Sequence, residues 1–140
     1  MSTPAPWLLL VAAAHLGFQL TVDLVVYPAL AEVGPERWER AHAAHSRRIT
    51  PVVAVVYVPL VLVLGWAAVA EPRDFATWVA IAGGLLAVVA TAAVAAPLHG
   101  RLSSGGADER SVLLDRLRRV DRVRTVGAAV CALGAVLLVA

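Results

Sequence analysis

The chain is 140 residues long, 60% hydrophobic and only 16% charged, with a mean hydropathy of +0.78. Soluble domains carry roughly 25% charged residues, so this balance excludes a disordered tail, a nucleic-acid-binding module and an ordinary soluble enzyme. A single cysteine, Cys131, excludes an intramolecular disulfide, a CxxC redox pair and a thiolate metal cluster, and the formal net charge of +2 rests on twelve cations that are all arginine.

Four apolar runs follow in chain order: residues 7–31, 51–70, 75–98 and 126–140. A hydrocarbon core needs about 20 helical residues, and lipid offers no water to open backbone groups, so runs of this length are expected to be helices. The last run is short alone, but a helical pattern leads into it from Ser111. The first run has the apolar core of a signal peptide; it lacks a positive leading region and continues too far, so it reads as a span. The expectation is an all-α, integral membrane four-helix bundle, one domain over residues 1–140, with both termini on one side.

Arginine placement sets the orientation. The segments between spans one and two and between spans three and four hold eleven arginines; the connection between spans two and three holds only Arg73. Those two segments are therefore expected on the cytoplasmic side and both termini on the outer side. From Ser111, an apolar stripe of Leu113, Leu117, Val120 and Val123 opposes charged faces, which reads as an amphipathic cytoplasmic helix leading into the fourth span. Trp7, Trp66 and Trp78 fit an outer aromatic belt, with Trp38 on the cytoplasmic side. Small residues pack lipid-embedded helices, so Gly83, Ala87, Thr91 and Ala95 on span three, and Gly127, Cys131 and Ala135 on span four, are expected at helix contacts.

Ionisable groups inside a membrane cost free energy and raise a functional hypothesis. On span one, His15, Gln19 and Asp23 recur every four residues on one stripe that Tyr27 continues, and the stripe must face the interior. Thr21 points elsewhere and can bond back to a carbonyl one turn earlier. A hairpin reversing at Gly34 puts Asp23 opposite His45, with Arg48 one turn away and His15 near Val53. His42 and His45 are spaced i, i+3 on one helix face, and His99 reaches the same level from span three. Histidines from two helices near a carboxylate make His42, His45 and His99 candidate metal ligands, for which iron or copper suits better than magnesium; a haem between His45 and His99 is a further option, and for His42 and His45 two interfacial histidines are the plain alternative. Pro28 and Pro97 free carbonyls at this end, and Pro59 is the expected kink of span two. Asp121, Arg124 and Thr125 share a face of the fourth helix; Arg124 either holds a ligand oxygen, pairs with Asp121, or snorkels to headgroups.

Three segments carry a resemblance: Val25-Val26-Tyr27-Pro28, Pro97-Leu98-His99-Gly100-Arg101-Leu102, and Leu117-Arg118-Arg119-Val120-Asp121-Arg122-Val123-Arg124-Thr125. In these, and in its layout over almost the whole chain, the protein resembles the anthrone-oxygenase-like family of small four-helix bacterial membrane proteins. It departs from that pattern at His99 and Asp121. The resemblance implies a multi-pass protein of the bacterial cytoplasmic membrane and oxygenation of polycyclic phenolic molecules.

Two functions lead. One is an oxidoreductase or oxygenase acting on a lipophilic aromatic or quinone-like substrate, with Asp23, His45, His99, Arg48 and Arg124 as candidate catalytic residues. There a histidine takes a phenolic proton, and an arginine stabilises the oxyanion. The other is a non-catalytic accessory or ligand-binding membrane subunit, in which the same residues neutralise one another; its partner is then a second copy or another membrane subunit. A proton or ion pathway along His15, Gln19 and Asp23 is a third.

Overall fold

The computed structural model describes residues 3–140, residues 107 and 108 by their backbone alone. Every regular element is helical: α1 (Ala5–Thr21), α2 (Tyr27–Ala31), α3 (Trp38–Ala70), α4 (Phe75–Ala90), α5 (Ala96–Ser104) and α6 (Ala107–Val139), with no strand among the described residues. A π-helical turn over Val22–Val26 joins α1 to α2, and another over Thr91–Ala95 joins α4 to α5. The elements fuse into four helices long and apolar enough to cross a membrane: Ala5–Ala31, Pro35–Ala70, Phe75–Ser104 and Glu109–Val139.

The turns follow from their residues. Gly34 is extended (φ −64°, ψ 156°) and hands the chain to Pro35, which opens a short 3-10 turn over Pro35–Arg37. At the opposite end Asp74 caps α4, its carboxylate accepting from the Thr77 backbone N–H at 2.6 Å. Trp78 Nε1 donates to the Pro72 carbonyl across the same turn (3.0 Å). Between α5 and α6, Gly105 lies so close to the Arg101 carbonyl that a Cβ would stand 2.8 Å from it.

Around the bundle the helices neighbour one another in the order α1, α6, α4, α3, so α6 lies diagonally across from α3. The core is split into two apolar clusters. One, near both termini, gathers Leu8, Ala12, Leu60, Leu64, Ala80 and Ala135. The other, at the arginine-rich end, gathers Tyr27, Leu30, Trp38, Leu98, Leu102 and Leu117. The fully buried His15, Gln19 and Asp121 belong to neither cluster.

Spans three and four pack as the small-residue pattern requires. A Cβ on Gly83 would stand 2.6 Å from the Gly127 carbonyl, and one on Gly127 would stand 2.7 Å from the Gly83 carbonyl. Cys131 and Ala135 are fully buried. Thr21 donates to the Gly17 carbonyl one turn earlier (2.9 Å).

The helix expected to lead into the fourth span does so without a break: α6 runs 33 residues, roughly 50 Å at 1.5 Å per residue, so its arginine-rich half extends beyond a 30 Å hydrocarbon core. α3 continues through both Pro51 and Pro59 as one helix. The irregularities sit before Pro28 and Pro97, where each helix widens into a π turn: the Tyr27 N–H reaches the Val22 carbonyl and the Ala96 N–H the Thr91 carbonyl. A proline removes one helical donor, and a π turn re-spaces the bonds around that gap.

Candidate functional site

The site begins with an interruption in α3. This helix buries Trp38 and His42 at one end and Tyr57, Leu60, Leu64 and Ala67 at the other, and none of the fourteen positions between. The missing contact is a cavity of about 340 Å³. Along α3 its wall is His45, Ser46, Ile49, Thr50 and Val53, one face of the helix. The apolar part of the opposite wall is Phe18, Val22, Ala95 and Ala96; Tyr27, Thr91, His99 and Arg124 supply the polar part. Thr50 and Ala96 are exposed, so the rim reaches the flank of the bundle. Both π turns contribute, through Val22, Thr91 and Ala95, a placement common for such turns at functional sites.

Arg124 organises the floor. It is 4% exposed, and Asp121, one turn earlier on α6, is fully buried. Arg124 Nη1 lies 3.0 Å from Asp121 Oδ1, yet its hydrogens point elsewhere, and neither Asp121 oxygen has a hydrogen-bond partner among the described residues. The two are held by charge. Nη1 donates to Tyr27 Oη (3.4 Å); Nη2 donates to Gln19 Oε1 (3.0 Å) and Tyr57 Oη (3.4 Å). Thr91 directs its only proton to the Ala87 carbonyl (2.7 Å), so at 2.9 Å it accepts from Tyr57. Buried charge is retained where it is paired and hydrogen-bonded, and this network ties α1, α2, α3 and the fourth span together. His15 stands edge-on to Tyr57 (centroids 4.8 Å, 77°), with both ring nitrogens buried and unpartnered among the described residues.

The three other histidines meet at the arginine-rich side of the cavity. The ring centroids of His42 and His99 lie 5.7 Å apart with planes at 22°, those of His45 and His99 5.8 Å apart at 27°. Trp38 stacks on His42 (5.2 Å, 19°). It donates from Nε1 to the Leu102 carbonyl (3.3 Å) and carries the Arg110 guanidinium over its ring at 4.7 Å. At 2% exposure, Trp38 is a packing residue and not part of an interfacial belt; Trp7, Trp66 and Trp78 remain exposed near the opposite end.

Of the residues singled out from the sequence, His45, His99 and Arg124 line one cavity. Asp23 does not: it is half-buried, does not line the cavity, and makes no ion pair or hydrogen bond to His45. The hairpin register explains this. His15 meets Tyr57 and not the level of Val53, and the π turn that carries Asp23 packs mainly on α6. Arg48 is exposed and off the cavity face of α3. His42, His45 and His99 do come together. Metal ligation needs ring nitrogens aimed at one point about 2 Å away, and among the described residues no group of three or more His, Cys, Asp or Glu side chains is arranged to hold a metal ion.

Tyr57, Thr91 and Gln19 are the partners that the histidine and carboxylate patterns alone do not find. Tyr57 has one signal: it is the sole polar residue besides proline and glycine between Val52 and Leu64. No protein-family model, no curated protein and no solved structure matches this chain.

Proposed function

We propose that this is a small multi-pass membrane protein that takes a lipophilic aromatic molecule bearing a phenolic or quinone oxygen into the cavity beside α3, and performs acid–base chemistry on that oxygen. The observation that carries the reading is the composition of one cavity wall. Phe18, Val22, Ile49, Val53 and Ala95 are apolar, while Tyr27, His45, His99 and Arg124 face the same space. Ligand pockets of about 300–1,000 Å³ with mostly apolar walls and a few convergent polar groups are the usual form of small-molecule sites, and 340 Å³ suits a two-ring aromatic.

Each group has a role in this reading. The rim at Thr50 and Ala96 admits the molecule sideways from the bilayer. An imidazole takes or gives the proton of the ring hydroxyl, and Arg124 opposes the negative charge that builds on the oxygen. That is the step an oxidoreductase or oxygenase of phenolic substrates requires, in keeping with the resemblance to anthrone-oxygenase-like proteins. The arginine distribution supports insertion with the histidine end on the cytoplasmic side of a bacterial inner membrane.

A second reading keeps the cavity and drops the chemistry. The Arg124 guanidinium is already engaged by Asp121, Gln19, Tyr27 and Tyr57, which favours a ligand-binding or accessory subunit whose polar network fixes helix register.

Fluorescence titration of 2-naphthol into the full chain in lipid nanodiscs tests the site. The wild type is expected to saturate at one molecule per chain, and Val53→Trp, which fills the cavity from α3, to lose at least tenfold in affinity. Equal affinity in the two folded proteins, or partition without saturation, overturns the assignment of this cavity.

A further inference from the structure

A second cavity, of about 430 Å³, opens at the arginine-rich end beside Trp38, His42, Ser103 and Arg110. Ser46 belongs to the wall of both cavities, His99 faces the first and His42 faces the second. Between the two lies a single file of polar contacts. Tyr27 Oη is 3.3 Å from His99 Nε2, His99 Nδ1 is 3.4 Å from His42 Nε2, and His42 Nδ1 is 3.4 Å from Ser103 Oγ. Each imidazole is met on one nitrogen from the side of the first cavity and on the other from the side of the second.

The file has a direction. Ser103 gives its only proton to the His99 carbonyl (3.1 Å), so it accepts from His42, and His42 carries its proton on Nδ1. His42 Nε2 is then a lone pair, which assigns the His99 proton to Nδ1 and leaves His99 Nε2 to accept from Tyr27 Oη. Tyr27 in turn accepts from Arg124 Nη1 (3.4 Å). A neutral imidazole has one N–H and one acceptor nitrogen, and here the donors of the file, Arg124 Nη1, Tyr27, His99 and His42, all point toward the exposed second cavity. Ring packing alone asks for no such order.

We propose that Tyr27, His99, His42 and Ser103 form a proton relay from the cavity beside α3 to the solvent-facing cavity at the arginine-rich end. The relay rests on the reading of the first cavity as a site for a phenol or quinol. A ligand hydroxyl seated against Tyr27 Oη gives it a proton while Tyr27 passes its own to His99 Nε2. His99 passes its Nδ1 proton to His42 Nε2, His42 its Nδ1 proton to Ser103, and the Ser103 hydroxyl turns from the His99 carbonyl to release its own proton to water. One proton leaves the ligand, one enters water, and the ligand oxygen keeps the electron pair as phenolate beside Arg124. Both rings end neutral with their tautomers exchanged, and no electron moves. His42 and Ser103 act here as positioning and relay residues without touching the ligand.

The test is nitrogen-15 NMR of the histidine-labelled full chain in nanodiscs, without ligand. In the wild type, the ring shifts are expected to show His42 and His99 both protonated at Nδ1, with the His42 N–H exchanging with water faster than that of His99. His42→Phe keeps an aromatic ring on Trp38 and is expected to slow His99 exchange at least tenfold. The relay is overturned by a His42 proton on Nε2 in the wild type, a measurement that needs no variant, or by His99 exchange unchanged in folded His42→Phe. Because no ligand is present, this outcome is independent of naphthol binding: binding without the relay leaves the proposed function intact, and the relay without binding removes only its proton source.

Discussion

Asp121 and Arg124 stand one turn apart on the fourth span, Oδ1 and Nη1 3.0 Å from each other, with both side chains enclosed by the bundle. Each charge is held in place by the other, and the guanidinium extends the arrangement to Gln19, Tyr27 and Tyr57 on two further spans. The bundle's polar centre therefore depends on one pair.

Arg124→Gln is expected to cost about 3–5 kcal/mol, because breaking a buried pair leaves an uncompensated charge. Asp121→Asn alone leaves the guanidinium with its neutral partners and is expected to cost less. The double variant is expected to be more stable than the sum of the single losses, with a coupling of roughly 0.5–3 kcal/mol. Reversible denaturation in detergent measures the cycle; additive losses contradict a direct pair.

The contact of spans three and four predicts a contrast between two glycines. Gly83→Ala places a Cβ 2.6 Å from the Gly127 carbonyl, so the helices must separate, at a cost of about 1–3 kcal/mol. Gly17→Ala meets nothing within 4 Å and is expected to stabilise its helix by roughly 0.5–1 kcal/mol. Thermal unfolding of the two variants in one detergent checks the sign of each.

The helical architecture is legible because membrane-length apolar runs and the small-residue ladders leave one structural solution. The Gly83–Gly127 approach is the ladder pattern realised. His42, His45 and His99 are recognisable as neighbours from their placement at one end of spans two and three. The partner of Asp23 is not legible. Inter-helix register depends on where the chain leaves α2 and how Pro35–Arg37 turns, and the π turn over Val22–Val26 sets Asp23 on a segment that packs mainly on α6. The π turns are equally silent in the sequence: Pro28 and Pro97 announce a lost donor, but not that Val22–Val26 and Thr91–Ala95 absorb it. Buried charge then falls to Asp121, whose proximity to Arg124 along α6 is local and so independent of register.

The central claim, that the polar wall beside α3 reads the oxygen of an aromatic ligand, is tested most directly by comparing 2-naphthol with naphthalene in the wild type and in Tyr27→Phe. The two probes differ by one hydroxyl, and one hydrogen bond contributes about 1.4 kcal/mol, or tenfold in affinity. The account predicts a roughly tenfold preference for 2-naphthol in the wild type that disappears in Tyr27→Phe, with naphthalene affinity unchanged. Equal affinity of the wild type for both probes, or a preference that survives Tyr27→Phe, contradicts it.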